Sequence, residues 1–391
     1  MSYEDPPTTL NIAYLGPEAS FSHQAAIEVF TTPSSSSPVT LHPLPSFSSI
    51  FSAIQQCSSP KPSGGNADPP HTSYDYAVIP IENSTNGSVV QVLDLLAQCG
   101  LDPDALYPDI EVCAEYYLPV HHCLFISSPT PAPTSTSTTS TTSTTSATSA
   151  TSATTLTSSK SSIRTLYTHP QVWGQCTRFL STHFPPTHVE RIDVGSTSAA
   201  AQLVARESGS EPTKSLTVAA IGSKLAGQKH NLVCLAENIE DEPGSNTTRF
   251  FVVRNSRTRK PNEDLLRDSF SFSQQQSQSA TTPFKKAKYK SLITFTISHT
   301  KPGALADALA VFKTYSFNLT SIDTRPSRKR NWQYVFFVEC EEAEAEADNM
   351  AGNGEAGGPE VGDNLKNMLT HLEKFTERLR YLGRFKDQLQ R

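Results

Sequence analysis

Between Tyr76 and Leu96 the chain reads YAVIPIENSTNGSVVQVLDLL, and its hydrophobic period changes part-way along. Tyr76 to Ser84 is an apolar run of strand length, closed by Asn83-Ser84 and then by Gly87-Ser88. Beyond it Val89, Val92, Leu93 and Leu96 fall at i, i+3, i+4 and i+7, one face of a helix. A strand that hands over to an amphipathic helix through a short polar turn is the repeating unit of an α/β sheet. The unit recurs on both sides. Asn11 to Gly16 (NIAYLG) is a strand before a helix that starts at Ser20 or Ser22 and ends at Phe30. Ile163 to Pro170 gives strand and turn before the helix QVWGQCTRFLSTHF, VERIDV precedes the helix STSAAAQLVA, and LTVAAIGSKLAG runs from strand into helix. An α/β fold is expected.

Several segments interrupt the pattern. Thr31 to Pro38 and Ser58 to Ser73 read as Pro/Ser/Gly loops. The Ser/Thr/Ala tract 127–162 carries too little apolar surface to offset its ordering entropy and is expected to be a disordered insertion. Residues 257–288, which include SFSFSQQQSQSATTP, read as a linker, and the acidic, then Gly-rich stretch 341–363 as an insertion within a domain. Two domains remain, 8–256 and 289–387. In the second, SLITFTIS, NLTSID and WQYVFFVE are strands, with a possible short strand near RYLGRF. Leu305, Ala308, Leu309 and Phe312 form one helical stripe after Pro302-Gly303, and Leu365, Met368, Leu369 and Leu372 form another. The order βαββαβ is ferredoxin-like.

With 391 residues, 36% of them hydrophobic, the chain is long enough for two or three cores. A formal charge of -6 gives no basic field for nucleic acid or a membrane surface. The runs RNSRTRK (Arg254 to Lys260) and RPSRKR (Arg325 to Arg330) lack interleaved aromatics and read as solvated loops. Seven scattered cysteines without a Cys-x-x-Cys pair predict reduced thiols and no metal. No apolar run approaches the roughly 20 residues of a membrane helix, and the N-terminus lacks a basic region before an apolar stretch, so a cytoplasmic address is expected. His121 and His122, taken as neighbours on one strand, would point to opposite faces and are assigned structural roles. His169 is assigned to shaping a site.

Polar Ser/Thr/Asn groups cluster where strands give way to helices: Asn83-Ser84-Thr85, Thr168-His169-Pro170 and Ser196-Thr197-Ser198. Each is explained singly as a helix cap, but three from one sheet region predict a site for a small anion. A fourth feature is DEPGSNTTRFFVV, Asp241 to Val253, where a turn gives way to a strand and two hydroxyls and a guanidinium sit at the switch.

Taken in order, AYLGPEASFSHQAA, AVIPIENSTNGSVVQVLDLL, THPQVWGQC, STSAAAQLV, AAIGSKLAG and NIEDEPGSNTTRFFVV resemble the prephenate dehydratases, from about Asn11 to Val253. The C-terminal part, about Tyr289 to Arg384, resembles the ACT regulatory domain that follows in that family. The resemblance implies a catalytic domain of two α/β subdomains like a periplasmic binding protein, with the active site between them. It implies conversion of prephenate to phenylpyruvate without metal or organic cofactor, feedback regulation by L-phenylalanine, and a homodimer or homotetramer. It places the catalytic hydroxyl on Thr248. Substrate-binding positions fall on Asn83, Ser84, Thr168, Gln171, Ser196, Thr197, Arg249 and Phe250. Arg249 is read either as a contact to a substrate carboxylate or as a brace for the Thr248 strand, and Phe250 as cleft wall. The effector motifs fall on Gly303-Ala304-Leu305 and on Asp323-Thr324-Arg325-Pro326, the latter altered at two positions from Glu-Ser-Arg-Pro. Thr168 stands where the family has Ser. The alternatives are an arogenate dehydratase and a non-catalytic amino-acid-binding sensor.

Overall fold

The computed structural model describes residues 9–31, 37–56, 73–127, 160, 162–210, 217–258, 288–342 and 361–389. Most of each loop, insertion and linker assigned from sequence lies outside these residues.

Lobe 1 opens with β1 (Leu10–Leu15), α1 (Phe21–Phe30), β2 (Val39–Leu44), α2 (Phe47–Gln56), β3 (Tyr76–Asn83), β4 (Gly87–Ser88), α3 (Val90–Leu96) and β5 (Ile110–Pro119). Lobe 2 follows as β6 (Cys123–Ser127), β7 (Thr165–Thr168), α4 (Pro170–Gln175), α5 (Thr177–His183), β8 (Glu190–Asp193), α6 (Thr197–Ser210), β9 (Val218–Gly222), α7 (Lys224–Lys229) and β10 (Leu232–Ala236). The chain then returns to lobe 1 as β11 (Thr247–Asn255). The C-terminal domain is β12 (Tyr289–Thr296), α8 (Ala304–Thr314), β13 (Phe317–Pro326), β14 (Tyr334–Glu342), α9 (Val361–Leu372) and β15 (Arg378–Lys386).

The lobe 1 sheet has the order β2-β1-β3-β11-β5, with β4 paired to β3. β1 is parallel to β2 and β3, and β11 runs antiparallel between β3 and β5. Alternation along β11 sends Phe250 and Val252 to the core under α1, and Phe251 and Val253 to the core under α2 and α3. Ser20 starts α1, its hydroxyl accepting from the His23 N–H at 3.2 Å. β2 and α2 went unread in the sequence, although Phe47, Ile50, Phe51 and Ile54 carry a helical spacing. Pro43 is tolerated in β2 because that strand is an edge.

The lobe 2 sheet has the order β10-β6-β9-β7-β8. Two chain crossings join the lobes and brace each other: the Val120 N–H donates to the Asn246 carbonyl at 2.8 Å, and the Ile239 N–H to the His122 carbonyl at 3.0 Å. His121 and His122 lie in the first crossing rather than on a strand. Among the described residues, no helix is long and apolar enough to cross a membrane.

The C-terminal sheet is antiparallel with the order β13-β14-β12-β15, and β15 is a full nine-residue strand rather than a short one. Both faces of its central strands, β12 and β14, are buried. Ile293, Phe295, Phe336 and Val338 pack under α8 and α9, whereas Leu292, Val335, Phe337 and Phe385 join Ile50, Phe51 and Phe251 in the core of lobe 1. That is why VFFV reads as an unbroken apolar run. The run RPSRKR, expected as a solvated loop, instead reaches across this junction. Arg325 Nε and Arg328 Nη2 donate to Asp94 at 2.6 and 2.8 Å, and Lys329 to Asp104 at 3.0 Å. In the other basic run, Arg254 pairs with Glu111 and Arg257 with Asp109.

Candidate active site

Asn83 closes β3 and Thr248 stands opposite it on β11. The Asn83 Oδ1 accepts the N–H groups of Thr85 and Asn86 at 3.1 and 3.0 Å. That fixes which end of the amide is which. The Nδ2 must therefore face β11, where it donates to Asn246 Oδ1 at 2.8 Å and to Thr248 Oγ1 at 3.0 Å. Thr248 Oγ1 accepts that bond, and its own O–H remains as a donor. Ser84 tightens the same knot. Its Oγ donates to the Ser245 carbonyl at 2.6 Å and accepts the Thr247 N–H at 2.8 Å. The turn that bears Asn83 joins β3 to β4 and is not a helix start, so the first of the three expected anion sites is a hairpin turn.

On the facing lobe, Thr168 is fully buried and its hydroxyl donates to the Ile221 carbonyl at 2.8 Å, tying the ends of β7 and β9. The N-cap of α4 is His169, whose Nδ1 accepts the Gln171 N–H at 3.4 Å, and burial holds this imidazole below its usual range. The Gln171 side chain is exposed. Ser196 Oγ accepts the Ala199 N–H at 3.0 Å as the cap of α6, and Thr197 is buried beneath it. Lobe 2 also touches the loop between β1 and α1: Ser198 Oγ and Ser223 Oγ donate to the carbonyls of Glu18 and Ala19, and Lys229 pairs with Glu18.

Gln175 and Glu240 went unremarked in the sequence. The His122 Nε2 lies 2.7 Å from Gln175 Oε1 at the end of α4, with Phe21 edge-on to the ring at 5.8 Å between centroids. Burial lowers the His122 pKa, and Gln175 Oε1, an acceptor, pairs with its Nε2. Glu240, in the second crossing, receives His121 Nδ1 at 2.8 Å and the His122 N–H at 3.0 Å. Glu240 could have been noticed as a carboxylate in the apolar-to-turn switch NLVCLAENIED.

Arg249 points away from Thr248, as adjacent residues on a strand do. Its Nε donates to Glu115 Oε2 at 2.8 Å and its Nη2 to Glu339 of β14. Lys290 of β12 joins the same cluster, reaching Glu115 Oε1 at 3.1 Å, Tyr117 Oη at 3.3 Å and Asp387 at 2.9 Å. Burial opposes both positive charges, but Glu339 and Glu115 hold the Arg249 guanidinium, and Glu115 and Glu339 the Lys290 ammonium, well above their usual ranges. The Arg249 guanidinium is thus taken up by Glu115 and Glu339, the geometry of a brace for the Thr248 strand. Phe250, expected as cleft wall, is 1% exposed and packs within the core under α1.

The two effector motifs lie on different elements of the C-terminal domain, one at the start of α8 and one on the edge strand β13. Gly303 caps α8 in the left-handed region (φ +81°), with Ala304 buried and Leu305 packed on the core beneath. On β13, Thr324 and Pro326 are exposed, Asp323 accepts from Ser88 Oγ at 3.2 Å, and Arg325 holds Asp94.

Two α/β lobes linked by paired crossings, with a polar knot where the strands meet the gap, define a two-lobed cleft protein followed by a ferredoxin-like module. A family model described as prephenate dehydratase matches residues 12–258. A "Probable prephenate dehydratase" of Saccharomyces cerevisiae is 32% identical over 352 residues, covering 85% of this chain and 87% of that protein. A bifunctional chorismate mutase/prephenate dehydratase of Stutzerimonas stutzeri is 29% identical over 85% of this chain, which spans 65% of that longer protein. The crystal structure of an Arthrobacter aurescens prephenate dehydratase in complex with L-Phe superposes with a TM-score of 0.61 at 20% identity, covering 97% of this chain and 90% of that one. The chain belongs to the prephenate dehydratase family.

Proposed function

We propose that the protein converts prephenate to phenylpyruvate, CO₂ and water, with the Thr248 hydroxyl as the proton donor. The ring carboxylate leaves as CO₂, its bonding electrons enter the ring, and the ring C–O bond breaks. The departing oxygen takes the Thr248 proton and leaves as water; solvent returns the proton to Thr248. An unperturbed alcohol is a weak acid, but aromatisation supplies the driving force, so placement of the donor matters more than its pKa. The observation that carries this reading is the Asn83–Thr248 hydrogen bond, which leaves the threonine O–H free to donate. The test is turnover of purified protein with prephenate and with arogenate, following phenylpyruvate and phenylalanine. Faster turnover of arogenate would move the assignment to that substrate, and no turnover of either would leave the amino-acid sensor.

The same reading makes the C-terminal module an ACT domain that takes L-phenylalanine, in a cytoplasmic homodimer or homotetramer. Gly303 offers a direct check. A Cβ there would meet nothing within 4 Å, yet φ is +81°, so Gly303→Val acts by backbone strain and not by overlap. The phenylalanine concentration giving half inhibition is expected to rise by about fivefold or more, within the usual range of coupling, with effector-free turnover retained. Unchanged inhibition would remove the Gly303-Ala304-Leu305 turn from the effector site.

A further inference from the structure

Thr248 is held from two sides, and the C-terminal domain reaches both. On one side its chain neighbour Arg249 is shared between Glu115 of lobe 1 and Glu339 of β14, all three buried. Glu339 is fixed in turn by Thr320 Oγ1 of β13, which donates to its Oε1 at 3.0 Å. On the other side, Asn83 holds the Thr248 hydroxyl, and the hairpin that carries Asn83 ends in Ser88, paired with Glu82 across the ladder. Ser88 Oγ donates to Asp323 of the same strand β13 at 3.2 and 3.3 Å to its two oxygens. Between these two contacts lies a small cavity lined by Glu82, Ser88, Arg249, Asp323 and Glu339.

We propose that Glu339 and Asp323 are positioning residues for the reaction: the C-terminal domain sets the pose of Thr248 through Arg249 on one side and the Ser88 hairpin on the other. Each route passes from β13 to the threonine through a chain of direct contacts. A displacement of β13 therefore moves the donor relative to the cleft without touching the substrate. The inference rests on Thr248 being the proton donor in the proposed reaction. It accounts for the buried charged residue that closes the apolar run WQYVFFVE, where another phenylalanine or valine would bury more easily.

The experiment uses the full chain with prephenate as substrate, below the melting temperature of each variant. Glu339→Gln is expected to lower kcat about tenfold with KM within twofold, because the threonine is misplaced while the substrate contacts remain. Glu339→Asp should recover part of the loss. Ser88→Ala, a milder change that leaves the buried ion cluster intact, should lower kcat about threefold. The losses for Glu339→Gln and Arg249→Lys should not add, since they break one route, whereas those for Glu339→Gln and Ser88→Ala should multiply. Should Glu339→Gln fail to fold, Thr320→Val and Ser88→Ala carry the same test. Wild-type kcat in Ser88→Ala and Thr320→Val, or a loss confined to KM, overturns the proposal. Absence of turnover in the wild type would fall on the proposed reaction instead.

Discussion

Thr248→Ala is expected to lower kcat by about 10²-fold or more while the melting temperature stays near that of the wild type. Thr248 is half-buried, and its hydroxyl receives a hydrogen bond from Asn83, which keeps Asn246 Oδ1 as a second acceptor. Losing it therefore strands no charge and opens little space. Thr248→Ser keeps the donor and should retain more activity. Thr247→Ala serves as the control, because the contacts of Thr247 to Ser84 run through its main chain. The measurement is steady-state turnover beside a thermal melt. Near-normal kcat in Thr248→Ala would refute the assignment of the proton donor.

Gly383→Val should be the most damaging single change to stability outside the cores. In β15 this residue has φ +145°, and a Cβ added there would lie 2.0 Å from the Val112 carbonyl oxygen of β5. The neighbour is main chain and cannot rotate aside. Either the C-terminal sheet lifts off lobe 1 or both strands bend. Overpacking and backbone strain together cost roughly 3–5 kcal/mol. For a unit of this size that lowers Tm by roughly 10 °C. Gly174→Ala, where a Cβ meets nothing within 4 Å, should change Tm little. A Tm for Gly383→Val within a few degrees of the wild type would show that the two sheets part without strain.

Much of the fold was legible because period and turn chemistry agree along the chain. The YAVIPIENS strand, the Val92-Leu93-Leu96 face and the Ser20 cap are all where local preference puts them. What was not legible depends on contacts distant in sequence. Asn83-Ser84-Thr85 has the composition of a helix cap, but its hydrogen bonds go to Ser245, Asn246 and Thr248 across a neighbouring strand, so it became a hairpin turn. Thr168 reads as a donor to a ligand, whereas in the fold its hydroxyl donates a hydrogen bond to the Ile221 carbonyl, more than fifty residues on. For Arg249 both readings are open in the sequence, because its partners Glu115 and Glu339 come to its face only through the fold. A sharper reader would have asked why Glu115, Lys290 and Glu339 interrupt apolar strands, since ionised groups in such runs need one another.

The two-sided burial of the C-terminal sheet has a thermodynamic corollary for how the molecule comes apart. Leu292, Val335 and Phe337 lie in one apolar cluster with Ile50, Phe51 and Phe251, so the C-terminal sheet and lobe 1 share the free energy of that cluster. Lobe 2 has its own core around Leu166, Leu180 and Ile221 and meets lobe 1 through the crossings and a small cluster of Ala19, Ala201 and Ala226. The boundaries of cooperative unfolding therefore do not follow the order of domains along the chain. Amides of β7 and β9 should open to hydrogen exchange as one unit, independently of those in β11, β12 and β14, which should open together.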